Sequence, residues 1–442
     1  MGYRIAAALA ANHEVTHLGP ESTVSPRFER LDCQSIMGSV TAPNMLTDAR
    51  VGGADVFVAC TTNDEQNIVA CLAAQRLGAK RTFCILTRPG FLNVGRDDAS
   101  LAESLGIDQV IRPAEQLADE IIRIVTVPGA LDVEDFADGR VRLLSYAVEH
   151  GAPITKRPLK SLSLPRDTLL VMLRRGDEMI IPRGETSVRA GDKVVAMGRW
   201  RALRNLLFRF LRSEKHVVDA RSATIVGAGT VGVAVARGLE EARWQVKLIE
   251  QDRFRCEQVA GEIDSLVLRG DGADLDLLEA ENVGDSSVLV AVTNNDEKNL
   301  LVSLLAKHLG VPRIVTRADR LANERMFEKV GIDVVRSAHG AVIRSVVSSI
   351  DESQSSILAE LEHGDVRVIE LELPTSFPTT SLKELRPPTF STVGSIMRDR
   401  SIIIPSGADT LRPGDHILVF CSRDDADDTR AFFCNPSEFR AD

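Results

Sequence analysis

Residues Ser222 to Asp252 read SATIVGAGTVGVAVARGLEEARWQVKLIEQD, and this stretch decides the fold. It opens with a β-branched run, Ala223-Thr224-Ile225-Val226, which has the character of a buried strand. Gly227-Ala228-Gly229-Thr230-Val231-Gly232 follows as a complete G-x-G-x-x-G. A helix-compatible segment from Val231 to Glu241 comes next, then a second strand, Gln245 to Ile249, that ends on Glu250. Each part has a physical task in a dinucleotide site. Gly227 permits the tight turn, Gly229 lets the backbone approach a pyrophosphate, and Gly232 lets helix and strand pack closely. The helix N-terminus offers unpaired N–H groups to phosphate. Glu250, at the end of the second strand, is placed to accept hydrogen bonds from ribose hydroxyls. The same carboxylate repels a 2′-phosphate, which favours NAD(H) over NADP(H).

The rest of the chain sets limits around this core. Its 442 residues predict two to four domains with ample core. The hydrophobic fraction of 44% and charged fraction of 26% are those of an ordinary globular protein. A net charge of -10 argues against a nucleic-acid surface, which needs a basic footprint. The seven cysteines (33, 60, 71, 84, 256, 421 and 434) are scattered and form no C-x-x-C. That pattern points to free thiols in a reducing compartment, with neither a disulfide frame nor a zinc site. No apolar run approaches the roughly 18 residues of a membrane span. The Ala-rich start is too short and too polar downstream for a signal peptide, and Ala6 stands where myristoylation needs Ser or Thr.

An internal duplication gives the architecture. Ala59-Cys-Thr-Thr-Asn-Asp-Glu-Gln-Asn67 returns as Ala291-Val-Thr-Asn-Asn-Asp-Glu-Lys-Asn299, identical at six of nine positions. Leu77-Gly78-Ala79-Lys80-Arg81 parallels Leu309-Gly310-Val311-Pro312-Arg313, and Leu105-Gly106-Ile107-Asp108 parallels Val330-Gly331-Ile332-Asp333. Each copy alternates apolar strands with amphipathic helices, which predicts a parallel sheet covered on both faces. Gly2-Tyr3-Arg4-Ile5-Ala6 aligns with Gly232 to Ala236, so the first strand and two glycines of copy one are absent from this sequence. Gly19 then stands in place of Glu250, and Ser39 in place of Asp271. A displaced start and a degenerate first site are both open readings; reduced nucleotide affinity in copy one is expected from either.

A shorter segment of alternating strands trails each copy. Its turn, Arg189-Ala-Gly-Asp192 before Lys193-Val-Val195, recurs as Arg412-Pro-Gly-Asp415 before His416-Ile-Leu418. The order is therefore A–B–A′–B′, with lobes expected at 1–125, 126–211, 221–350 and 354–437. Thr126 to Pro128 and Asp351 to Ser356 read as linkers, and Trp200 to Ser222 as a helix bridging the halves.

With these motifs in this order, the chain resembles the TrkA family, the regulatory subunits of Trk-type bacterial potassium uptake systems. The resemblance rests on Gly227 to Gly232, Lys247-Leu-Ile-Glu250, Gly270-Asp271, Val292-Thr-Asn-Asn-Asp-Glu297 and the two Arg-x-Gly-Asp turns, and it covers essentially the whole chain. It implies an α/β fold of tandem Rossmann-like RCK-N lobes (also called KTN), each followed by a small α+β RCK-C lobe. It implies NAD(H) as ligand, with ATP or ADP as a further nucleotide. It also implies a membrane potassium-translocating partner of the TrkH or KtrB type, and a homo-oligomer, either a dimer or a tetrameric ring. The location would be cytoplasmic, peripheral on the inner face of the bacterial plasma membrane. Packing between lobes in such an assembly is expected through the helices after the fifth strand. Carried over residue by residue, the phosphate loop is Gly227, Ala228, Gly229, Thr230, Val231 and Gly232, and the ribose acid is Glu250. Asp271 lies near the adenosine. Thr293 and Asn294 follow the fourth strand, with Thr61 and Thr62 as their copy-one equivalents. The basic residue after the fifth strand is Arg317, and in copy one Arg88.

Plainer readings stand beside these. Asn295-Asp296-Glu297 and Asn63-Asp64-Glu65 read first as helix caps, with ligand or interface contact as the alternative. No His or Cys is placed to work with Asp296 and Glu297, so catalysis is not expected. His339 reads as structural, Cys256 as a half-exposed inert thiol, and the run Asp424, Asp425, Asp427, Asp428 as a solvated helix start. The rival function is an NAD-dependent oxidoreductase, which needs a general acid or base over the nicotinamide; a regulator of some other ion transporter is the third possibility.

Overall fold

The computed structural model describes residues 1–10, 13–20, 28–88, 98–136, 140–176, 178–212, 221–354, 357–361, 366–399 and 401–434. The first α/β lobe comprises α1 (Gly2–Leu9), β1 (Thr16–Gly19), β2 (Gln34–Met37), α2 (Pro43–Asp48), β3 (Phe57–Ala59), α3 (Asp64–Leu77), β4 (Thr82–Ile85), α4 (Asp98–Ser104), β5 (Gln109–Ile111) and α5 (Pro113–Thr126). The first small lobe has β6 (Ala130–Phe136), β7 (Val141–Ala147), β8 (Thr168–Arg175), β9 (Glu178–Ile180), β10 (Lys193–Gly198) and α6 (Trp200–Leu206).

The second α/β lobe runs β11 (Ser222–Val226), α7 (Thr230–Glu241), β12 (Gln245–Glu250), α8 (Arg253–Val259), β13 (Leu266–Arg269), α9 (Leu275–Ala280), β14 (Val288–Ala291), α10 (Asp296–His308), β15 (Ile314–Arg317), α11 (Leu321–Lys329), β16 (Val334–Arg336) and α12 (Ala338–Gln354). The second small lobe has β17 (Ile357–Leu361), β18 (Val366–Glu372), β19 (Thr380–Ser381), α13 (Leu382–Leu385), β20 (Ser391–Arg398), β21 (Ser401–Ile403), β22 (Thr410–Leu411), β23 (His416–Ser422) and α14 (Ala426–Cys434).

The second α/β lobe is a six-stranded parallel sheet in the order β13-β12-β11-β14-β15-β16. The chain reverses its winding direction between β11 and β14, and ligands of such sheets bind at the carboxyl ends of the strands beside this switch. In the first lobe the same sheet falls into two pieces, β1-β2 and β3-β4-β5, both parallel. Among the described residues no strand corresponds to β11. Two bonds confirm the alignment: the Gly38 N–H donates to Gly19 O (2.9 Å) as the Gly270 N–H does to Glu250 O (2.9 Å). Gly19 therefore occupies the place of Glu250.

Like lobes associate in space although they alternate in sequence. One compact unit joins Met1–Ile122 with Ala220–Ile350, and a second joins Arg123–Asp219 with Asp351–Asp442. Within the first unit the final helices are exchanged. The α12 residues Val342, Val346 and Ile350 pack on Phe83, Ile85 and Ile111 of the first lobe, with Ile5 and Leu9 of α1. Reciprocally, Ile122 of α5 lies against Gly238 of α7, where a Cβ would overlap its Cδ1. Lobe packing inside one chain thus runs through the helices after the sixth strand, and Arg4 of α1 also donates to Asp319 O (3.1 Å), just after the fifth.

In the second unit two antiparallel sheets, β6-β7-β10-β8-β9 and β17-β18-β23-β20-β21, share one apolar core. Val141, Val171, Val195 and Met197 meet Val366, Val368, Ile402 and Phe420 there. Each repeated turn is held by one buried ion pair. Asp192 accepts two bonds from Arg175 (2.9 and 2.8 Å) and the Arg189 N–H (2.7 Å); Asp415 accepts two from Arg398 (both 2.7 Å) and the Arg412 N–H (2.7 Å).

Two expectations are corrected here. Asp351 to Gln354 continue α12, so that supposed linker is helical where described, because the apolar periodicity of the helix carries on into its polar stretch. At the other, Thr126 ends α5 while Val127 and Pro128 lie in the turn before β6. The bridging helix is short: α6 passes into one wide turn, Leu207–Leu211, whose Leu207 and Leu211 enter the core of the first small lobe. Its continuation, residues 213–220, lies outside the described residues.

Candidate functional site

The glycine loop sits between β11 and α7. Gly227 adopts φ +107, and a Cβ on it would meet Thr293 at 3.1 Å, so glycine is required by conformation and by space. A Cβ on Gly232 would overlap the carbonyl oxygen of Gly227, which explains the third glycine through packing alone. Gly229 differs. Its backbone is ordinary (φ -67, ψ -177), it is exposed, and a Cβ there would point into open space. Nothing among the described residues calls for glycine at that position.

Gly229 is also the N-cap of α7, and no side chain among the described residues caps this helix. Its first N–H groups and the positive end of its dipole face outward beside an open glycine. Glu250 braces the loop from the neighbouring strand. Its Oε2 accepts from the Ala228 N–H (2.8 Å) and its Oε1 from the Asp252 N–H (2.9 Å). A carboxylate has about four lone-pair directions, so each oxygen retains one for a further donor. Arg255 ties the other side of the loop through Ala228 O (2.7 Å).

Around the loop stand the remaining residues named from the sequence. Lys298, on the first turn of α10, donates to Gln251 Oε1 and Asp271 Oδ1, both at 2.8 Å. That contact, with the Ala273 N–H, holds the Asp271 carboxyl below the ordinary aspartate range. Arg317 bonds Asn294 Oδ1 (2.8 Å) and grips Asp319 with two bonds (3.0 and 2.7 Å). Thr293 is fixed by the buried Asn299, whose Oδ1 accepts from the Thr293 N–H (2.9 Å) and Oγ1 (2.7 Å). The Asn299 amide then donates to Thr293 O and Arg317 O, both at 3.0 Å. One side chain thus ties the ends of β14 and β15 together.

The Asn-Asp-Glu triplets divide their labour. Asn295 and Asn63 cap α10 and α3, accepting from Lys298 N (2.7 Å) and Gln66 N (2.8 Å). Asp296 instead reaches the loop after β15, accepting from Asp319 N, Arg320 N and Asn323 Nδ2. Burial alone would raise its pKa, and these bonds outweigh it, so its carboxyl lies below the ordinary value.

The first lobe repeats this frame and corrects one assignment. Asn67 makes the Asn299 bonds, to Thr61 and to Ile85 O (2.8 Å). Asp64 accepts from Thr87 N (3.0 Å) and Arg88 N (2.8 Å), as Asp296 does from Asp319 N and Arg320 N. Ile85 is therefore the counterpart of Arg317, and Arg88 that of Arg320; Arg88 pairs with Glu65 as Arg320 does with Glu297. The shared Thr-Arg dipeptide misled the alignment by three residues. Thr61 and Thr62 do stand opposite Thr293 and Asn294. Sequence reasoning missed the Asn67 and Asn299 clamps, although their identity in both copies was the available signal.

Cys256 is buried rather than half-exposed, and its thiol donates to Glu250 O (3.3 Å). Burial, then the nearby Glu250, pushes its pKa up, which leaves it a poor nucleophile. The His339 Nδ1 is enclosed without a hydrogen-bond partner among the described residues, and burial lowers its pKa. Asp427 and Asp428 lie in the first turn of α14, and no group of three metal-ligating side chains occurs among the described residues. No described helix is long and apolar enough to cross a membrane.

The family comparisons agree with this frame. The TrkA-N domain matches residues 1–113 and 223–338, and the TrkA-C domain matches 143–210 and 367–433. A Trk system potassium uptake protein TrkA homolog from Archaeoglobus fulgidus is 33% identical over 435 residues, 98% of either chain. Among solved structures, the GsuK RCK domain superposes with a TM-score of 0.61 at 21% identity, covering 98% of this chain and 92% of that one. A GsuK channel bound to NAD gives 0.60 at 19% identity, covering 98% and 77%. The TrkA relatives support a regulatory subunit of potassium uptake, and the solved structures show the fold. By its two TrkA-N and two TrkA-C domains and its full-length similarity to TrkA homologues, the chain belongs to the TrkA family of Trk potassium uptake proteins.

Proposed function

We propose that this chain is a nucleotide-gated regulatory subunit, not an enzyme, acting on a membrane potassium-translocating partner of the TrkH or KtrB type. Its ligand is NAD(H), with ATP or ADP as the further nucleotide class, bound in the second α/β lobe. The observation that carries the reading is the uncapped N-terminus of α7 beside Gly229, whose open Cβ direction has no explanation inside the fold. Gly227 to Gly232 would hold the phosphates and Glu250 the ribose hydroxyls, with Asp271, Thr293, Asn294 and Arg317 around the adenosine. That the related fold of the GsuK channel was solved bound to NAD supports the choice of ligand. The first lobe, with Gly19 and Ser39 in place of the acids and Ile85 in place of Arg317, is read as the weaker or silent site.

Gating follows by linkage. A nucleotide shifts the partner between closed and open only by the difference in its affinity for the two arrangements of the lobes. The assembly is a homo-oligomer, dimer or ring, resting on the cytoplasmic face of the membrane. Titrating NADH calorimetrically into the wild-type chain and into Glu250→Ala tests the site. One saturable event per chain, weakened at least tenfold in the variant, is the expected result. Binding unaffected by the substitution would remove Glu250 from the site, and no binding of any nucleotide would end the proposal.

A further inference from the structure

We infer that the charges on α5 and α12 are a partner code, which lets a first-type α/β lobe pair only with a second-type lobe. The two helices are counterparts. The motif before each ends in an aspartate that accepts the first N–H of the neighbouring strand: Asp108 from Thr82 (2.6 Å), Asp333 from Ile314 (2.8 Å). Counting on from there, Ile111 corresponds to Arg336, Asp119 to Arg344, Glu120 to Ser345 and Ile122 to Val347.

At the junction of the lobes, Glu120, only 14% exposed, receives two bonds from Arg344, one of them at 3.0 Å. Arg336, 16% exposed, stands 3.9 Å from the same carboxylate. Because the exchange of final helices is reciprocal, the geometry of the other pairings can be read off. Two first-type lobes would set Glu120 against the other's Asp119, twice, with Ile111 where Arg336 now stands. Like charges in a half-buried junction are strongly unfavourable. Two second-type lobes would set Arg344 against Ser345 and leave Arg336 without its carboxylate.

Shape points the same way independently. Ile122 needs a glycine beneath it, and Gly238 supplies one. The first lobe carries Ala8 at that position of α1, so a second Ile122 would meet a methyl group. The apolar contacts of α12 with the first lobe are made by aliphatic side chains and Phe83, non-directional groups that discriminate little between partners. The ion cluster and the single glycine therefore choose the partner.

A charge-swap experiment on the full chain separates selection from mere stability. Every chain carries Ile122→Cys and Gly238→Cys, so that oxidation reports which α5 lies on which α7; the parent with native cysteines alone gives the background. One chain adds Arg336→Glu and Arg344→Glu, and the other adds Asp119→Arg and Glu120→Arg. With native charges the cross-link should form within one chain. Each reversed chain alone should close at least tenfold more slowly. Co-expressed with tags of different size, the reversed chains should give a covalent heterodimer well above that from two native-charge chains, and its recovery would hold even if each alone fails to fold. Reversed chains that close like the parent, or a mixture that yields no excess heterodimer, would overturn the code.

Discussion

The three loop glycines make separable demands, and substituting alanine at two of them tests the assignment of ligand against fold. At Gly229 the backbone is one that alanine adopts, and the added methyl meets nothing. Alanine is a poorer N-cap than glycine by about 0.5–1 kcal/mol, while the stiffer unfolded chain returns roughly 0.4–1 kcal/mol. The net change in stability should therefore be near zero. At Gly232 the methyl overlaps the Gly227 carbonyl oxygen, a backbone atom that cannot step aside. Overpacking of that kind costs about 1–3 kcal/mol or more. Thermal unfolding should leave Gly229→Ala at the wild-type midpoint and lower Gly232→Ala by several degrees. NADH titration should reverse the emphasis: Gly229→Ala, with a methyl where the pyrophosphate would rest, should lose at least tenfold in affinity, about 1.4 kcal/mol. If Gly229→Ala binds NADH as well as wild type while folding normally, the phosphates do not lie over this loop and the reasoning fails. If it melts like Gly232→Ala, the open space at Gly229 is wrong.

Two further outcomes follow from the buried polar groups. Asn299→Ala should destabilise the second α/β lobe by roughly 1–3 kcal/mol for each polar group left unpaired, and Asn67→Ala should do the same in the first; equal unfolding of wild type and variant in denaturant would refute the clamp. Burial alone would raise the pKa of Asp192, but the bonds from Arg175 and the Arg189 N–H prevail and hold it below the ordinary aspartate value. A depressed carboxyl stabilises fully above the unfolded value, about 3.9, and its contribution disappears as pH falls through the folded value. The melting advantage of wild type over Asp192→Asn should be full at pH 6 and shrink below about pH 4; an advantage as large at about pH 2.5 as at pH 6 would contradict this.

Much of this was legible because strand, turn and helix in the second α/β lobe are local. The turn at Gly227 and the contact of Gly232 with the Gly227 carbonyl are set within a few residues, and the duplication carried the pattern onto the first lobe, down to Gly19 in the place of Glu250. What sequence could not supply was anything set by contacts distant along the chain. The misplacement of Arg88 shows this: two copies of a Thr-Arg dipeptide match better by eye than Ile85 with Arg317, and only the bonds of Asp64 and Asn67 reveal the true register. The exchange of α5 and α12 was equally hidden, since an amphipathic helix looks the same whichever sheet it covers. Glu250 was read for its outward duty, while its support of the Ala228 N–H depends on how close the second strand brings it.

The exchange of final helices also bears on how the chain is made. Ile5 and Leu9, near the start, are covered by Val342, Val346 and Ile350, more than three hundred residues later. During synthesis the first lobe must wait, its apolar helix face uncovered, while a small lobe and most of the second α/β lobe leave the ribosome. Long-range closure of this sort is slow and leaves sticky intermediates. The lobe that is translated first is completed only when the end of the second α/β lobe emerges, so a long period of vulnerability to aggregation falls on a nascent chain that already contains most of its folded parts.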